Sequence, residues 1–379
     1  MHNINSLLSE FENIASNPRK QLDKILSEGK KAIGVMPYLC PEELVLAAGM
    51  VPFGIWGAET QVSEAKRYFP AFICSILQTT LELGIRGAYD GLSAIMIPFA
   101  CDSLKCMGTN WKYGVKTIPV IDVAYAQNRS SQAGIEFSVS QFKKIAGSLA
   151  QIAQREISSE DVKEAILVYN RNRAALRAFS KAAAQHPEAV RPGQRCDVIK
   201  AGYFMPRDEH TALVEKLTAA LDSLPPAKQD CLRIVTTGII ADSPALLKIL
   251  AENNMCIADD QIAHESIFFR EDTPLTDDPY VGMARRIGNI QGCSILFDPG
   301  KKRAAMLASL AKEAQADGVL YIQTKFCDPE EFDYVPVKKV MHSAGIPMLM
   351  VEVDQQMSSF EQARSAVETF AEILRQKRL

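Results

Sequence analysis

Residues 92–102 read Leu92-Ser93-Ala94-Ile95-Met96-Ile97-Pro98-Phe99-Ala100-Cys101-Asp102, an apolar run that stops on a cysteine and an aspartate. It is far shorter than the roughly 20 residues a membrane helix needs, and reads instead as a strand buried on both faces, as in parallel sheets. Similar runs lie on either side, at Ala32-Ile33-Gly34-Val35, Val51-Pro52-Phe53-Gly54-Ile55 and Ile118 to Val123, with helical segments between them. This alternation predicts a first α/β domain over residues 32–137. Ahead of it, Leu7, Leu8, Phe11, Ile14, Leu22 and Ile25 recur at helical spacing and predict a helical segment over residues 1–31.

From Ser138 the strand signal disappears, and Ser158-Ser159-Glu160-Asp161 offers a capped start to a long helix through Tyr169, Leu176 and Phe179. Residues 138–226 therefore read as a helical section. Its basic residues, Arg155, Lys163, Arg171, Arg173, Arg177 and Lys181, read as solvated helix faces, with a partner or coenzyme phosphates as the other reading. After Pro225-Pro226 the alternation returns: strands at Leu232 to Thr237, Met255 to Ala258, Val319 to Gln323 and Pro347 to Val353, and helices at Ser243 to Asn253, Glu330 to Ala344 and from about Ser359. The expected fold is α/β, two doubly wound, mostly parallel-sheet domains (32–137 and 227–379) with a helical amino-terminal and middle section. Such domains bind ligands beyond the carboxyl ends of their strands, so two of them can share a crevice.

Composition narrows the function. A chain of 379 residues with 47% hydrophobic content is long enough for two or three cores, and a net charge of −3 gives no drive toward nucleic acid or an anionic membrane. The first twenty residues are polar and mixed in charge, without a signal peptide, so a cytoplasmic protein is expected. Nine cysteines in such a chain imply reduced thiols rather than a disulfide framework.

Three of those cysteines share a setting just past a short apolar run: Ile73-Cys74, Phe99-Ala100-Cys101-Asp102 and Lys325-Phe326-Cys327-Asp328. They are too far apart for a zinc-finger or ferredoxin motif, so only a folded cleft brings them together. Spacing alone leaves two readings, three buried thiols or three ligands to one centre. Three thiolates without an evident fourth suit a [4Fe-4S] cluster with an accessible iron, whereas structural zinc closes with four ligands at tighter spacing. None of the histidines, His2, His186, His210, His264 and His342, adjoins these cysteines in sequence. Cys106 is a substitute candidate for Cys101, Cys40 is a candidate wall residue, and Cys196, Cys231, Cys256 and Cys293 read as structural.

No phosphate-binding loop of the Gly-x-x-x-x-Gly-Lys-Ser/Thr kind and no Gly-x-Gly-x-x-Gly after a strand is present. Gly238, ahead of the helix start near Ser243, reads as a turn or a close approach for a phosphate, and Asp259-Asp260 as a cap or a polar substrate contact.

Further segments complete a pattern: Val35-Met36-Pro37, Pro41-Glu42-Glu43-Leu44, Ala48-Gly49-Met50-Val51-Pro52, Cys101-Asp102-Ser103-Leu104-Lys105, Gln323-Thr324-Lys325-Phe326-Cys327-Asp328, Glu352-Val353-Asp354 and Gln362 to Phe370. With these the chain resembles the 2-hydroxyacyl-CoA dehydratase family over nearly its whole length. The resemblance implies a heterodimer with a homologous alpha subunit, a [4Fe-4S] cluster in each subunit, and an ATP-hydrolysing iron-sulfur activator protein that injects one electron. It carries the cluster ligands onto Cys74, Cys101 and Cys327. It also implies an acyl-CoA substrate, 2-hydroxyglutaryl-CoA first, dehydrated to glutaconyl-CoA, and allows a flavin (FMN or riboflavin) in the complex, although nothing in this sequence marks a flavin site.

The chemistry explains why a dehydratase needs an electron. In a 2-hydroxyacyl thioester the C3 hydrogen is not acidified by the carbonyl and hydroxide leaves poorly from C2, so acid–base catalysis alone falls short. In the chemistry the resemblance implies, one electron on the thioester carbonyl gives a ketyl that expels the hydroxyl, the resulting enoxy radical loses its acidified C3 proton to a base, and the electron then returns. The resemblance implies that substrate meets the companion's cluster, with this chain supplying an electron relay and one wall of the cleft; it leaves the base unassigned. A benzoyl-CoA-reductase-type subunit and a non-catalytic electron relay are the alternatives.

Overall fold

The computed structural model describes residues 2–227 and 230–378; Met1, Lys228, Gln229 and Leu379, which fall within the segments expected at 1–31 and 227–379, lie outside the described residues. Strands β1 (Ala32–Val35), β2 (Val51–Gly54), β3 (Ala94–Pro98) and β4 (Val120–Val123) form a sheet of order β2-β1-β3-β4. Strands β5 (Leu232–Gly238), β6 (Met255–Ile262), β7 (Gly318–Thr324) and β8 (Met348–Val353) repeat it as β6-β5-β7-β8. Every pairing in both sheets is parallel. The chain reverses its direction of travel between β1 and β3, and again between β5 and β7, which gives each sheet one switch point where a crevice opens at the strand ends.

Two glycines let neighbouring segments approach at these switch points. A Cβ on Gly34 of β1 would lie 2.6 Å from Ile95 and 2.9 Å from Ile55 and Leu92. At Gly238, where φ is +154°, a Cβ would meet the carbonyl oxygen of Ile322 at 2.4 Å. The close neighbour of Gly238 is thus strand β7, and the pairing of the two strands explains the glycine without a phosphate.

Helices His2–Ser16 and Pro18–Ser27 form the amino-terminal segment, with Pro18 in the first turn of the second, where its missing N–H is tolerated. Helices Gln132–Ala153, Ser159–Gln185, Pro192–Ala201 and Arg207–Asp222 form the helical section, and Ser158 caps the second of these in a reciprocal box with Asp161. Ile4, Leu8 and Phe11 pack with Tyr169, Leu176, Phe179 and Val214 in one core.

Three expectations change. Arg173 is a buried residue rather than a solvated one, ion-paired with Glu43 and bonded to Asn170 and Thr273; a periodic run of charges does not show which charge finds a buried carboxylate. Tyr280, Met283, Ile287, Ile290, Cys293 and Leu296, from the stretch assigned to the second domain, are buried in the core of the first sheet. Arg129 holds them there by donating to the carbonyl oxygens of Ile287, Ile290 and Phe297. Not all cysteines are reduced thiols, because Cys231 and Cys256 form a disulfide. They flank Leu232 and Met255, which pair across β5 and β6, so the sheet sets their Cα atoms 5.9 Å apart, within bridging range.

No helix among the described residues is long and apolar enough to cross a membrane. Gly238→Ala should lower the unfolding free energy by about 1–3 kcal/mol, from backbone strain and the clash with Ile322, read as a lower midpoint in urea denaturation.

Candidate functional site

Both switch points open onto one chamber between the sheets, with a volume of 360 Å³. Met36 to Leu39 after β1, Ala100 and Cys101 after β3, Ile239 and Ile240 after β5, and Phe326 and Cys327 after β7 all line it, as does Cys74. The three cysteines singled out by sequence are therefore brought together. Each also occupies the residue just before a helix: Cys74 before Ser75–Ile85, Cys101 before Asp102–Gly114 and Cys327 before Asp328–Ser343. Unpaired N–H groups and the positive end of the helix dipole favour negative charge on sulfur at such positions. The Leu104 amide donates to Cys101 Sγ at 3.5 Å.

Burial acts against that charge. It pushes the Cys74 thiol up to about 12, against which the Ile76 and Leu77 amides pull down. Cys101 is pushed up by burial, with the Leu104 and Ser103 amides opposing. Cys327 is pushed well up by burial and then by the neighbouring Cys74 and Glu330. Thiols in this setting keep their protons until a cation compensates the sulfur charge.

Among the described residues no group of three or more His, Cys, Asp or Glu side chains is placed to hold a single metal ion. The three cysteines share the lining of one chamber.

Two residues on the wall, Leu39 and Phe326, have positive φ, +66° and +59°. Each directly precedes a cysteine, and this left-handed backbone is unfavourable for bulky side chains and tends to collect at functional sites. The Leu39 carbonyl accepts from the Tyr125 hydroxyl, which holds the turn in place.

The remaining candidates separate clearly. Cys106 is exposed, and Cys40 is buried with Sγ 3.5 Å from the Met96 carbonyl; neither lines the chamber. Asp259 and Asp260 lie inside β6 instead of at a strand end, and Asp260 is buried, ion-paired with Arg195 and accepting from the Ile262 and Ser266 amides. Sequence reasoning passed over His264, which lines the chamber with Nδ1 3.0 Å from the Ile239 carbonyl. Its position just past β6 was the available signal.

The wall contributed by Cys74 is fastened to the second sheet. The segment after β8 reaches the helix that follows Cys74: the Gln355 amide donates to Ser75 Oγ at 3.2 Å, Thr79 Oγ1 bonds the Gln355 side chain, and the Thr60 amide donates to the Gln355 carbonyl at 3.1 Å.

Residues 37–374 match the family model described as 2-hydroxyglutaryl-CoA dehydratase, D-component. The chain belongs to this family. It is 47% identical to the (R)-phenyllactyl-CoA dehydratase beta subunit of Clostridium sporogenes, over 99% of this chain and 100% of the relative. It is 39% identical to the lactoyl-CoA dehydratase subunit beta of Anaerotignum propionicum, over 99% and 100%. It is 38% identical to the (R)-2-hydroxyglutaryl-CoA dehydratase subunit beta of Acidaminococcus fermentans, over 98% and 100%. These three relatives are named as subunits of CoA dehydratases, which are hydro-lyases.

Since Cys40 and Cys106 lie outside the chamber, Cys40→Ala and Cys106→Ser should leave the metal content of the anaerobically purified protein at the parent level, as measured by elemental analysis.

Proposed function

We propose that this chain is the beta-type subunit of a 2-hydroxyacyl-CoA dehydratase, in which Cys74, Cys101 and Cys327 hold a [4Fe-4S] cluster. The observation that supports it is the chamber: three half-buried cysteines, each at a helix amino terminus, line one space at the paired switch points of two sheets. The donor set fits, because the four-iron cluster is ligated at separate corners and three thiolates leave one corner for a non-protein ligand. When bound, the cluster would supply a low-potential electron that is lent to the substrate and recovered.

The chain's own residues have the complementary tasks. Ile76, Leu77, Ile239, Ile240, Ile295 and Phe326 make the wall largely apolar, which limits water and lowers the local dielectric around the sulfurs. Helix-terminal amides stabilise sulfur charge from behind. The electron comes from an ATP-hydrolysing activator and passes to a homologous alpha subunit that faces the substrate, in keeping with the absence of a phosphate-binding loop from this sequence. An oxygen-sensitive centre of this kind suits an anaerobic cytoplasm, the location expected from the sequence.

2-Hydroxyglutaryl-CoA is the acyl substrate expected from the sequence. A second reading, an aryl 2-hydroxyacyl-CoA such as phenyllactyl-CoA, is favoured by 47% identity to that dehydratase subunit against 38% to the hydroxyglutaryl one.

Iron and acid-labile sulfide analysis with EPR, on this chain co-purified anaerobically with its companion, should show a four-iron centre that is lost in each of Cys74→Ser, Cys101→Ser and Cys327→Ser; retention of that centre in all three variants would sink the ligand assignment. With activator, ATP and reductant, turnover of phenyllactyl-CoA, 2-hydroxyglutaryl-CoA and lactoyl-CoA should rank the acyl groups. Activity on benzoyl-CoA alone would replace dehydration with ring reduction, and absence of turnover with every thioester would leave only an electron relay.

A further inference from the structure

Behind Cys327 lies a buried charge pair that the proposed electron relay does not by itself require. Glu330, fully buried in the first turn of the helix that follows Cys327, accepts from Arg303 at 3.0 Å and from the Ser294 hydroxyl. Arg303 is 5% exposed and also donates to Thr237 Oγ1 at 3.0 Å, to the Tyr321 hydroxyl at 3.2 Å and to Asp333 at 3.3 Å. The Tyr321 hydroxyl in turn donates to the Glu330 carbonyl at 2.8 Å. Ser294 comes from the segment packed in the first core, Thr237 from the end of β5 and Tyr321 from β7, so one carboxylate joins both halves of the protein one helical turn from a chamber sulfur.

A fully buried carboxylate is an expensive anchor where a neutral side chain would hold the same turn. Its charge also stands close to the sulfur, because Glu330 lies in the first turn of the helix that Cys327 caps. In a low-dielectric wall, negative charge beside an electron-accepting centre disfavours the added electron, and positive charge favours it.

We propose that Glu330 and Arg303 are positioning residues that tune the reduction potential of the centre held by Cys327, Glu330 lowering it and Arg303 fixing Glu330 while limiting the extent. This rests on the cluster reading above. It names residues that touch neither substrate nor iron and act through Cys327 and its helix.

The test is an anaerobic, dye-mediated redox titration followed by EPR on the complete heterodimer, scoring the signal that Cys327→Ser abolishes. Glu330→Gln keeps an acceptor for Ser294 and leaves Arg303 paired with Asp333; its midpoint should shift positive. Arg303→Met should shift it negative, and Glu330→Gln combined with Arg303→Met, which restores charge balance, should fall between the two. Opposite signs are the decisive result, because a purely structural role would not make the shift follow the charge removed. Unchanged midpoints, or shifts in one direction, at parental iron content would overturn the proposal. If Arg303→Met fails to fold, the sign of Glu330→Gln and its reversal toward the parent in the double variant decide between the same two outcomes. Parent heterodimer without iron would overturn the cluster reading itself, and that failure is seen before any variant is made.

Discussion

The chamber depends on a seam of buried polar bonds between two similar sheets. Apolar contact is non-directional and would let the halves slide across each other. A buried hydroxyl, amide or carboxylate is satisfied only at one distance and angle, and leaving it unpaired costs about 1–3 kcal/mol. Gln355 against Ser75 and Thr79, and Glu330 against Ser294 and Arg303, are satisfied together at one placement of the halves, while Arg129 ties residues 287–297 into the first core. That placement sets Cys327 of one sheet across from Cys74 and Cys101 of the other.

Local geometry at the wall follows from the same closure. Leu39 and Phe326 hold left-handed backbone next to cysteines because the surrounding contacts determine their turns. Three helix amino termini converge on thiols that burial would otherwise keep protonated, and the two effects oppose each other at each sulfur. The arrangement suits a centre that brings its own positive charge, which is why family membership and chamber geometry support one chemical reading.

Much of the fold was legible in the sequence. Short apolar runs such as Ala94–Pro98 and Gly318–Thr324 are buried on both faces, so every residue in them is selected for burial and the pattern is visible without knowledge of neighbours. Ser158 and Asp161 announce their helix because a cap is satisfied by residues three apart. The site was partly legible for a related reason: Cys101 and Cys327 each sit just past a strand, where α/β sheets place ligands, and Cys74 shared their setting. Arg173 in the core, the crossing of residues 280–297 to the first sheet, the disulfide of Cys231 and Cys256 and the placement of His264 were not legible, since each depends on a partner distant in the chain.

Local signals alone specify the elements, the doubled α/β plan and the three cysteines that follow apolar runs, because burial and capping act over a few residues and leave a periodic trace. That the two switch points face each other, which thiols share the space between them, and which charges stand behind Cys327 are settled by long-range packing. Those outcomes are set by directional bonds between segments far apart in the chain, and no local pattern records them.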